Sequence, residues 1–598
     1  SAMTVMTVVV LVVNLLLGRP LVETLLFSIA LAVGLSPELL PAILSVNLAR
    51  GARHMAAHGV LVRRLNAIEN LGSMDVLCTD KTGTLTEGVV QLDGAWEVAG
   101  TPSAAVLEIA AINAALQAGL VNPLDEAIQK AHQPELDGIE KIAEIPYDFV
   151  RKRLSVIVRQ DAGTRLLMKG AVEAVLSVCA NQPDGRPLDD QVRARLRERA
   201  ATWNNQGIRV LAVATREMPA QAGYGRDDES GLTFAGYLTF LDRPKAGIRD
   251  TLLELGQLGV AVKIITGDSA AVAQHVATSV GLHAGRMLTG LQLDELHDDA
   301  LWHAAEQTVV FAEVDPNQKE RIIVALKKTG HVVGFLGDGI NDAPAMHAAD
   351  TSLSVEGAAD VAREAADFVL LERNLGVIRR GIEEGRRTFA NTLKYILTTT
   401  SANLGNMISM AVASLFLPFL PLLAGQILLN NFLSDVPAVG LAGDSVDAEL
   451  VDRPRRWDMR FLGRFMVEFG CLSSLFDFLT FGLLLWVFAA PPDLFRTGWF
   501  VESLLTELVI ALVVRTQRPF WRSRPGNALF WSSIGVMALT FAIPYLPYAS
   551  LLDFTPLPAG VMLSLVAIAA VYVGGTEVLK ASFYRRHGAW SPTGTAAR

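Results

Sequence analysis

Residues 78–86 read Cys-Thr-Asp-Lys-Thr-Gly-Thr-Leu-Thr, which puts a carboxylate, a cation, hydroxyls and a glycine in one unbroken run. An aspartate is a weak nucleophile, so it takes up a phosphoryl group only where its neighbours position and neutralise the incoming phosphate. A lysine directly after Asp80 supplies charge, and Thr82 and Thr84 supply hydroxyls. The run therefore predicts phosphoryl transfer to Asp80, with a polar turn after an apolar strand as the alternative.

Groups that suit a phosphate and its metal ion recur in three later motifs. The first motif contains Thr266, Gly267 and Asp268, the second contains Lys319, and the third contains Asp338, Asn341 and Asp342. These residues offer hydroxyl, backbone, carboxylate, ammonium and amide groups. Carboxylates such as Asp338 suit Mg²⁺, which proteins bind through one or two carboxylates together with phosphate oxygens and water. Each motif alone could be an acidic loop or a surface charge, but their joint occurrence indicates phosphoryl transfer.

The elements that must position these groups are short apolar strands. Residues 262–265 precede one motif, residues 332–336 precede another, and residues 76–77 precede Asp80. Polar loops at the C-terminal ends of buried strands are typical of an open parallel sheet at its ligand crevice. Residues 51–385 therefore read as soluble α/β protein. The stretch 94–239 has its own helix and strand patterns and reads as a domain inserted into the first one.

Composition excludes several classes of protein. At 598 residues the chain is too long for a single core. A hydrophobic content of 51%, a charged content of 19% and a mean hydropathy of +0.34 do not suit a purely soluble protein. The net charge of −9, without a basic and aromatic stripe, argues against nucleic-acid binding. Three scattered cysteines predict neither a disulfide framework nor a zinc site.

Long apolar segments at both ends account for the hydropathy. The first, residues 4–17, reads as a helix cut at its start, and the second, 22–49, is broken at 36–41 by two prolines that flank Glu38. Six later segments are long enough to span a membrane, at residues 392–417, 421–442, 461–490, 498–516, 528–548 and 557–579. Arginines cluster in alternate connections, so the positive-inside rule places the soluble region and the C-terminus in the cytoplasm.

Polar side chains inside apolar segments are costly, so they are candidate ligands for a transported ion. Oxygen donors suited to a hard cation occur at Glu38, Asn403, Asn406, Asn431, Ser434 and Asp435. Asp477, Glu502 and Glu507 are further acids in these segments. Hydrogen bonding between helices is the alternative role for the amides and hydroxyls.

Taken together, these motifs resemble the P-type ATPases, and the similarity runs along the whole chain. The resemblance implies a multidomain membrane protein. It would combine an α-helical transmembrane bundle with a haloacid-dehalogenase-like α/β phosphorylation domain that carries an inserted α+β nucleotide-binding domain. It also implies that Asp80 becomes an aspartyl-phosphate and that Asp80, Thr82 and Asp338 hold the catalytic Mg²⁺. The remaining implied catalytic residues are Thr84, Thr266, Gly267, Asp268, Lys319, Asn341 and Asp342.

The inserted segment resembles the nucleotide-binding domain of that family. By this resemblance Phe149 stacks on adenine, and Lys169 in Lys169-Gly170-Ala171 lines the pocket. Arg151 and Arg209 match residues that approach the nucleotide phosphates, so ATP and Mg²⁺ are the implied cofactors. Without the resemblance, Phe149 is an ordinary core residue.

Strings such as GLSPELLPAI, GRRTFANTLKYI and SSLFDFLTF resemble bacterial magnesium-transporting P-type ATPases, as does the less acidic stretch 443–447. The resemblance implies ATP-driven Mg²⁺ import across a bacterial inner membrane. The alternatives are transport of another cation (Ca²⁺, K⁺ or H⁺), a membrane-tethered phosphatase with an aspartyl nucleophile, and a non-catalytic ATP-sensing scaffold. The oligomeric state and any small regulatory partner stay open.

The expected domain plan is two membrane helices in 1–50, the phosphorylation domain in 51–93 and 240–385, and the nucleotide-binding domain in 94–239. Six membrane helices follow in 386–580, and a cytoplasmic tail in 581–598. We find no counterpart of the family's actuator domain or first membrane helices. A chain truncated in this way is expected to be phosphorylated at Asp80 but to turn over poorly.

Overall fold

The computed structural model describes residues 2–16, 18–34, 39–81, 84–87, 91–118, 122–147, 151–160, 163–221, 223–241, 244–282, 285–372 and 376–588. Its first elements are α1 (Ala2–Leu16), α2 (Leu21–Gly34), α3 (Leu40–Ala57), β1 (Val60–Val62) and α4 (Ala67–Ser73). Pro41 is in the first turn of α3, where a missing N–H costs nothing. Thus α2 and α3 flank the predicted interruption, whereas residues 35–38, including Glu38, lie outside the described residues.

The central part of the chain alternates short strands and helices. Its strands are β2 (Val76–Thr79), β3 (Gln91–Glu97), β4 (Ile139–Ile145), β5 (Arg153–Gln160), β6 (Gly163–Ala171), β7 (Cys179–Asn181), β8 (Arg209–Met218), β9 (Leu232–Leu241), β10 (Ala261–Ile265), β11 (Arg286–Thr289), β12 (Thr308–Ala312), β13 (Val333–Leu336), β14 (Thr351–Val355) and β15 (Phe368–Leu370). Its helices are α5 (Ala104–Leu116), α6 (Pro123–Ala131), α7 (Val172–Leu176), α8 (Asp190–Asn205), α9 (Ile248–Gln257), α10 (Ala270–Ser279), α11 (Gly290–Glu295), α12 (Asp298–Gln307), α13 (Pro316–Lys328), α14 (Ala343–Ala348) and α15 (Asp360–Ala365).

A parallel sheet carries the predicted phosphorylation motifs. Its strands within the central part lie in the order β15-β14-β13-β2-β10-β12-β11, and every neighbouring pair is parallel. All residues of β2, β13 and β14 are buried, as expected for strands covered on both faces. Because β2 pairs with both β13 and β10, the C-terminal ends of these three strands meet at one edge of the sheet.

A second, mainly antiparallel sheet forms the inserted segment. Strands β3-β9-β8-β6-β5-β4 pair in that order, and β7 adds to β9 in parallel. One apolar cluster packs this sheet against α7 and α8, and another packs its opposite face against α5 and α6. The inserted α+β fold is therefore present. Its sheet spans residues 91–241, a few residues beyond each predicted boundary.

The C-terminal part is helical. It contains α16 (Gly376–Phe416), α17 (Ala424–Gly440), α18 (Met459–Gly482), α19 (Pro492–Val514), α20 (Asn527–Ala542) and α21 (Ala559–His587). In the described ranges, four helices are long and apolar enough to cross a membrane: Met459–Val487, Pro492–Val514, Asn527–Tyr545 and Ala559–His587. The other two predicted spans coincide with α17 and with the C-terminal half of α16. At about 1.5 Å per residue, the 41-residue α16 is about twice as long as the hydrocarbon layer is thick.

The chain forms two compact units. One comprises residues 1–74, 257–259 and 377–598, and the other comprises residues 75–256 and 260–376. The first contains the apolar helices, and the second contains both sheets of the central part. Two helices continue through the boundaries that the sequence predicted at residues 50 and 385, because α3 extends to Ala57 and α16 already begins at Gly376.

Candidate active site and ion cavity

Asp80 is the first residue after β2, at the centre of the parallel sheet. Its N–H donates to the carbonyl oxygen of Leu336 at 3.3 Å, which ties the residue to the end of β13. The N–H of Lys81 donates to Asp80 Oδ1 at 2.6 Å. The Asp80 side chain remains 19% exposed, so a substrate can reach a carboxylate that the strand ends hold in place.

Lys319 joins two of the predicted carboxylates. Its Nζ donates to Asp80 Oδ2 at 2.7 Å and to Asp342 Oδ1 at 2.8 Å. Helix α13 presents this lysine in its first turns, and a capping box between Asp315 and Gln318 fixes where the helix begins. One ammonium group thus stands between two carboxylates, and the three side chains carry a formal charge of −1.

The protonation of this cluster follows from burial and charge. Burial raises the pKa of Asp80; attraction by Lys319 opposes the rise and repulsion by Asp342 adds to it. Burial alone would lower the pKa of Lys319, but attraction by the two carboxylates outweighs it and raises that pKa. Lys319 is therefore a cation at neutral pH, and it is the group that keeps the Asp80 carboxylate available as a nucleophile.

The loop after β13 is built around Asp342. Its Oδ2 accepts the N–H groups of Asp338 at 3.2 Å and Gly339 at 3.1 Å, and the residue is buried. A Cβ added to Gly337 would lie 2.6 Å from the Cβ of Asp342, so glycine is needed for this close approach. Asn341 of the same loop is exposed.

The donor set beside Asp80 fits a magnesium ion. Asp80 and the half-buried Asp338 each follow one of two paired strands, β2 and β13, and both present carboxylate oxygens, which Mg²⁺ prefers. Thr82, the third expected ligand, lies outside the described residues. Among the parts of the chain that are described, no cluster of three or more His, Cys, Asp and Glu side chains could hold a metal without further ligands.

The loop after β10 completes this edge of the sheet. Thr266 is buried and its Oγ1 accepts the N–H of Asp268 at 3.2 Å, while Gly267 is exposed. Lys81 Nζ pairs with Asp268 Oδ2 at 2.5 Å. Sequence reasoning did not foresee this pair, since nothing local links residues so far apart in the chain. Thr84 is buried in the turn that follows Asp80.

In the inserted segment, Lys169 on β6 faces the α5 and α6 side of the sheet. Its ammonium pairs with Asp125 of α6, and both side chains are buried. Burial lowers the pKa of Lys169, against the attraction of Asp125 and Glu144. Gln117 donates from Nε2 to the other oxygen of Asp125 at 2.5 Å. No local sequence pattern pointed to Asp125 as the partner of Lys169.

The structure does not bring Lys169 and Arg151 together. Arg151 Nη1 donates to Glu229 Oε2 at 2.5 Å, and Glu229 is buried. Gly170 tolerates no side chain, since an added Cβ would lie 2.6 Å from a backbone oxygen. Arg209, the exposed first residue of β8, is on the same face as Lys169 by strand alternation. Phe149 lies outside the described residues.

A cavity of about 60 Å³ opens among α16, α17 and α19. The polar residues that line it include Asn403, Asn431, Ser434, Asp435 and Glu507. Asn406 lies beside it and donates to Glu507 Oε1, which also accepts from Asn430 Nδ2 at 3.3 Å. The five described residues of the predicted ion site thus lie in or next to one cavity. Glu507, an acid that was not in the predicted set, also lines the cavity. Its position in an apolar helix could have indicated it as a further ligand.

The stretch 443–447 is a structural junction. The buried carboxylate of Asp444 accepts from Lys394 Nζ at 2.7 Å, from Arg515 Nη1 at 3.2 Å and from the N–H of Gly526 at 2.7 Å. Arg515, one of the arginines in the connections between apolar segments, is buried in this network. Asp444 therefore ties α16, α19 and the segment before α20 together.

Two family models and several known proteins match this chain. A family model described as "P-type ATPase, cytoplasmic domain N" matches residues 67–247, and one described as "Cation transporting ATPase, C-terminus" matches residues 419–582. Magnesium-transporting ATPase, P-type 1, of Salmonella typhimurium and its namesake in Escherichia coli K12 are each 46% identical to this chain over 601 residues. The match covers 98% of this chain and 67% of each relative.

A more distant relative, the probable cation-transporting ATPase F of Mycobacterium bovis, is 33% identical, with 93% of this chain and 68% of the relative covered. The apolar helices and these relatives make the chain a membrane protein. The aspartyl motif at the end of β2, the inserted α+β segment and these similarities together show that the chain belongs to the P-type ATPase family.

Proposed function

We propose that this protein transports Mg²⁺ across a membrane at the expense of ATP, through an aspartyl-phosphate on Asp80. The observation that carries the proposal is the bridge from Lys319 to Asp80 and Asp342 at the edge of the parallel sheet. It supplies the aimed charge that phosphoryl transfer to a carboxylate needs. Magnesium as cargo is inferred from the names of the 46% identical relatives.

Asp80 is the nucleophile: a carboxylate oxygen attacks the terminal phosphorus of ATP, the bond to the bridging oxygen breaks, and ADP leaves. Lys319 holds one carboxylate oxygen, and Asp342 keeps the lysine in place and fixes the loop after β13. Thr266, Gly267, Thr84 and Asn341 are the remaining contacts or supports for the phosphoryl oxygens, with Asp268 holding Lys81. A magnesium ion held by Asp80, Asp338 and Thr82 would neutralise negative charge on the phosphate.

The nucleotide binds to the α5 and α6 face of the inserted sheet. Lys169, Gly170 and Arg209 form the described part of this site, and Phe149 stacks on adenine. Arg151 is a further predicted contact to the nucleotide phosphates, and its ion pair with the buried Glu229 anchors it just before the start of β5.

The cation binds in the cavity among α16, α17 and α19. Asp435 and Glu507 supply two negative charges that can balance one divalent ion, and amide and hydroxyl oxygens complete the shell. A volume of about 60 Å³ has room for a small ion with part of its water. Glu38, which follows α2, remains a predicted ligand.

The expected domain plan is also part of the proposal. Six membrane helices follow the soluble region, and arginines such as Arg453 and Arg585 keep that region and the C-terminus in the cytoplasm. The membrane is then a bacterial inner membrane, and Mg²⁺ moves into the cytoplasm.

The test is ion uptake by the full-length protein in liposomes, with ATPase activity measured across a panel of cations. We expect ATP-dependent Mg²⁺ uptake that Asp80→Asn abolishes. Asp435→Asn and Glu507→Gln should each raise the half-saturating cation concentration about tenfold or more, because each removes a buried charged ligand. Ser564→Ala, on α21 away from the cavity, is the control expected to match the wild type. Uptake of Ca²⁺ or K⁺ in place of Mg²⁺ would overturn the cargo assignment. Because Mg²⁺ also accompanies ATP, uptake must be followed separately from hydrolysis.

A further inference from the structure

Two acidic side chains are buried among the apolar helices but do not line the ion cavity. Asp477 is on α18 and is 2% exposed, and Glu502 is on α19 and is fully buried. The two carboxyl groups are neighbours. Trp499, which packs edge-on against Phe481 at 4.7 Å between ring centres, closes the pair off with apolar surface.

The two acids have opposite surroundings. Asp477 Oδ2 accepts the hydroxyl of Ser409 at 2.6 Å and Asp477 Oδ1 accepts Trp499 Nε1–H at 2.8 Å, so both of its oxygens are satisfied by donors. Neither oxygen of Glu502 accepts a hydrogen bond from any described residue, although both are buried. Asp477 therefore has the surroundings of an ionised carboxylate. Glu502, next to it, can donate a hydrogen bond only if it is protonated.

Among the described residues, no positive charge pairs with either acid. The titratable groups that face it are Glu507 from α19 and Tyr572 from α21, and within the described ranges neither Asp477 nor Glu502 forms an ion pair with a lysine, arginine or histidine. An unpaired ionised carboxylate in an apolar interior is very costly, and two side by side also repel each other. One proton shared between them relieves both penalties, because a neutral Glu502 can donate its O–H to Asp477.

The same surroundings do not suit a metal ion. Mg²⁺ needs near-octahedral oxygen ligands and keeps part of its water. Both oxygens of Asp477 are already occupied, one of them by an indole N–H that would point toward any cation bound there. The two acids are also absent from the lining of the cavity.

We propose that Asp477 and Glu502 bind a single exchangeable proton between them, which forms a proton site beside the cation cavity. The further step, exchange of that proton against the transported cation, rests on the proposed function. Glu507 links the two places, since it lines the cavity and lies within electrostatic reach of Glu502 on the same helix. A cation entering the cavity adds positive charge there and favours release of the proton.

The experiment is infrared difference spectroscopy of the full-length protein in lipid nanodiscs at neutral pH. A protonated buried carboxylic acid gives a carbonyl band, separate from the carboxylate bands, that shifts in D₂O. We expect such a band in the wild type, its complete loss in Glu502→Gln, and its retention at a shifted frequency in Glu502→Asp, because the shorter side chain changes the hydrogen bond to Asp477. Ser474→Ala, which removes an unrelated buried hydroxyl of α18, should leave it unchanged. Because Glu502→Asp retains an acid, the comparison survives if the glutamine variant does not fold.

A wild-type spectrum without the band, or a band that both Glu502 variants leave untouched, would overturn the proton site. We also expect saturating Mg²⁺ to weaken the band, and a band indifferent to Mg²⁺ would overturn the exchange. The same preparation is assayed for Mg²⁺ uptake. A normal band without Mg²⁺ uptake contradicts the proposed function but supports the proton site. Mg²⁺ uptake without the band supports the proposed function but contradicts the proton site.

Discussion

Replacing Lys319 by methionine should nearly abolish phosphorylation of Asp80 while the domain stays folded. Methionine fills the space of the lysine stem without its charge, so the two carboxylates of Asp80 and Asp342 are left facing each other. The substitution removes the side chain that joins them among the described residues. It tests whether the bridge is catalytic or merely part of the folded loop.

The expected size of the effect follows from the two contacts. At an effective dielectric constant of about 20, opposite unit charges about 3 Å apart attract by roughly 5 to 6 kcal/mol, and burial of the ammonium offsets part of this. Removal of one group aimed at developing charge typically costs about 2.7–4 kcal/mol, or about 10²–10³ in rate. We expect a loss of phosphorylation rate in this range.

A pH profile separates the mechanism from simple misfolding. Lys319 lowers the pKa of Asp80 against burial and the repulsion of Asp342, so its loss raises that pKa further. A smaller fraction of Asp80 is then ionised at a given pH. The residual rate of Lys319→Met should consequently increase with pH across a range in which the wild-type rate is level.

The assay is acid-quenched incorporation of phosphate from radiolabelled ATP into the full-length protein. Lys327→Met, on the same helix, is the matched control, because that side chain is 35% exposed and pairs with Asp350 at 3.1 Å, away from Asp80. Its rate should stay within about twofold of the wild type. If Lys319→Met is phosphorylated within tenfold of the wild-type rate at neutral pH, the role assigned to the bridge is wrong.

Three further predictions concern other parts of the chain. Asp444→Ala should destabilise the helical unit by about 3–5 kcal/mol in thermal unfolding, because two buried cations lose their shared carboxylate, whereas Glu449→Ala in the same loop should change little since its ion pair is exposed. Lys169→Met should raise the ATP concentration for half-maximal phosphorylation about tenfold. Adding Asp125→Leu should recover thermal stability but not ATP affinity, because it removes the unpaired buried carboxylate. Recovery of both would contradict a nucleotide role for the lysine. Gly337→Ala should slow phosphorylation at least tenfold at unchanged nucleotide affinity, because its Cβ would meet the aspartate that fixes this loop, and a wild-type rate would show that the loop can yield.

Local patterns predicted the elements well where they were strong. Apolar runs that end in glycine and acid correctly predicted β10 and β13, and the unbroken run after β2 correctly placed Asp80 at a strand end. The domain boundaries stay predictions, and α3 and α16 continue past the expected ends of the soluble region at residues 50 and 385. Helical propensity does not stop where a membrane surface begins, so hydropathy alone could not find those ends.

In the candidate sites too, local patterns predicted individual residues but not the contacts between distant parts of the chain. Oxygen-bearing residues of α16 and α17 were predicted as ligands one by one, and the structure gathers them around one cavity with Glu507 from α19. Partners distant in sequence were not predictable. The pairs Lys169–Asp125, Arg151–Glu229 and Lys81–Asp268 form only because separate elements fold against each other.

Residue types and their local order establish the chemistry available to this protein: a carboxylate that can take a phosphoryl group, and acids in apolar helices. Residue types and local periodicity are enough for that, because they fix which groups exist and which elements carry them. Which charges meet depends on the tertiary fold. Lys319 reaches Asp80 across 239 positions of sequence because α13, which follows β12, begins at the edge of the sheet where β2 ends. Helix packing likewise separates the acids of α18 and α19 into a pair beside Trp499 and a further acid, Glu507, that lines the cavity, because packing sets distance and solvation in ways that spacing along a chain cannot.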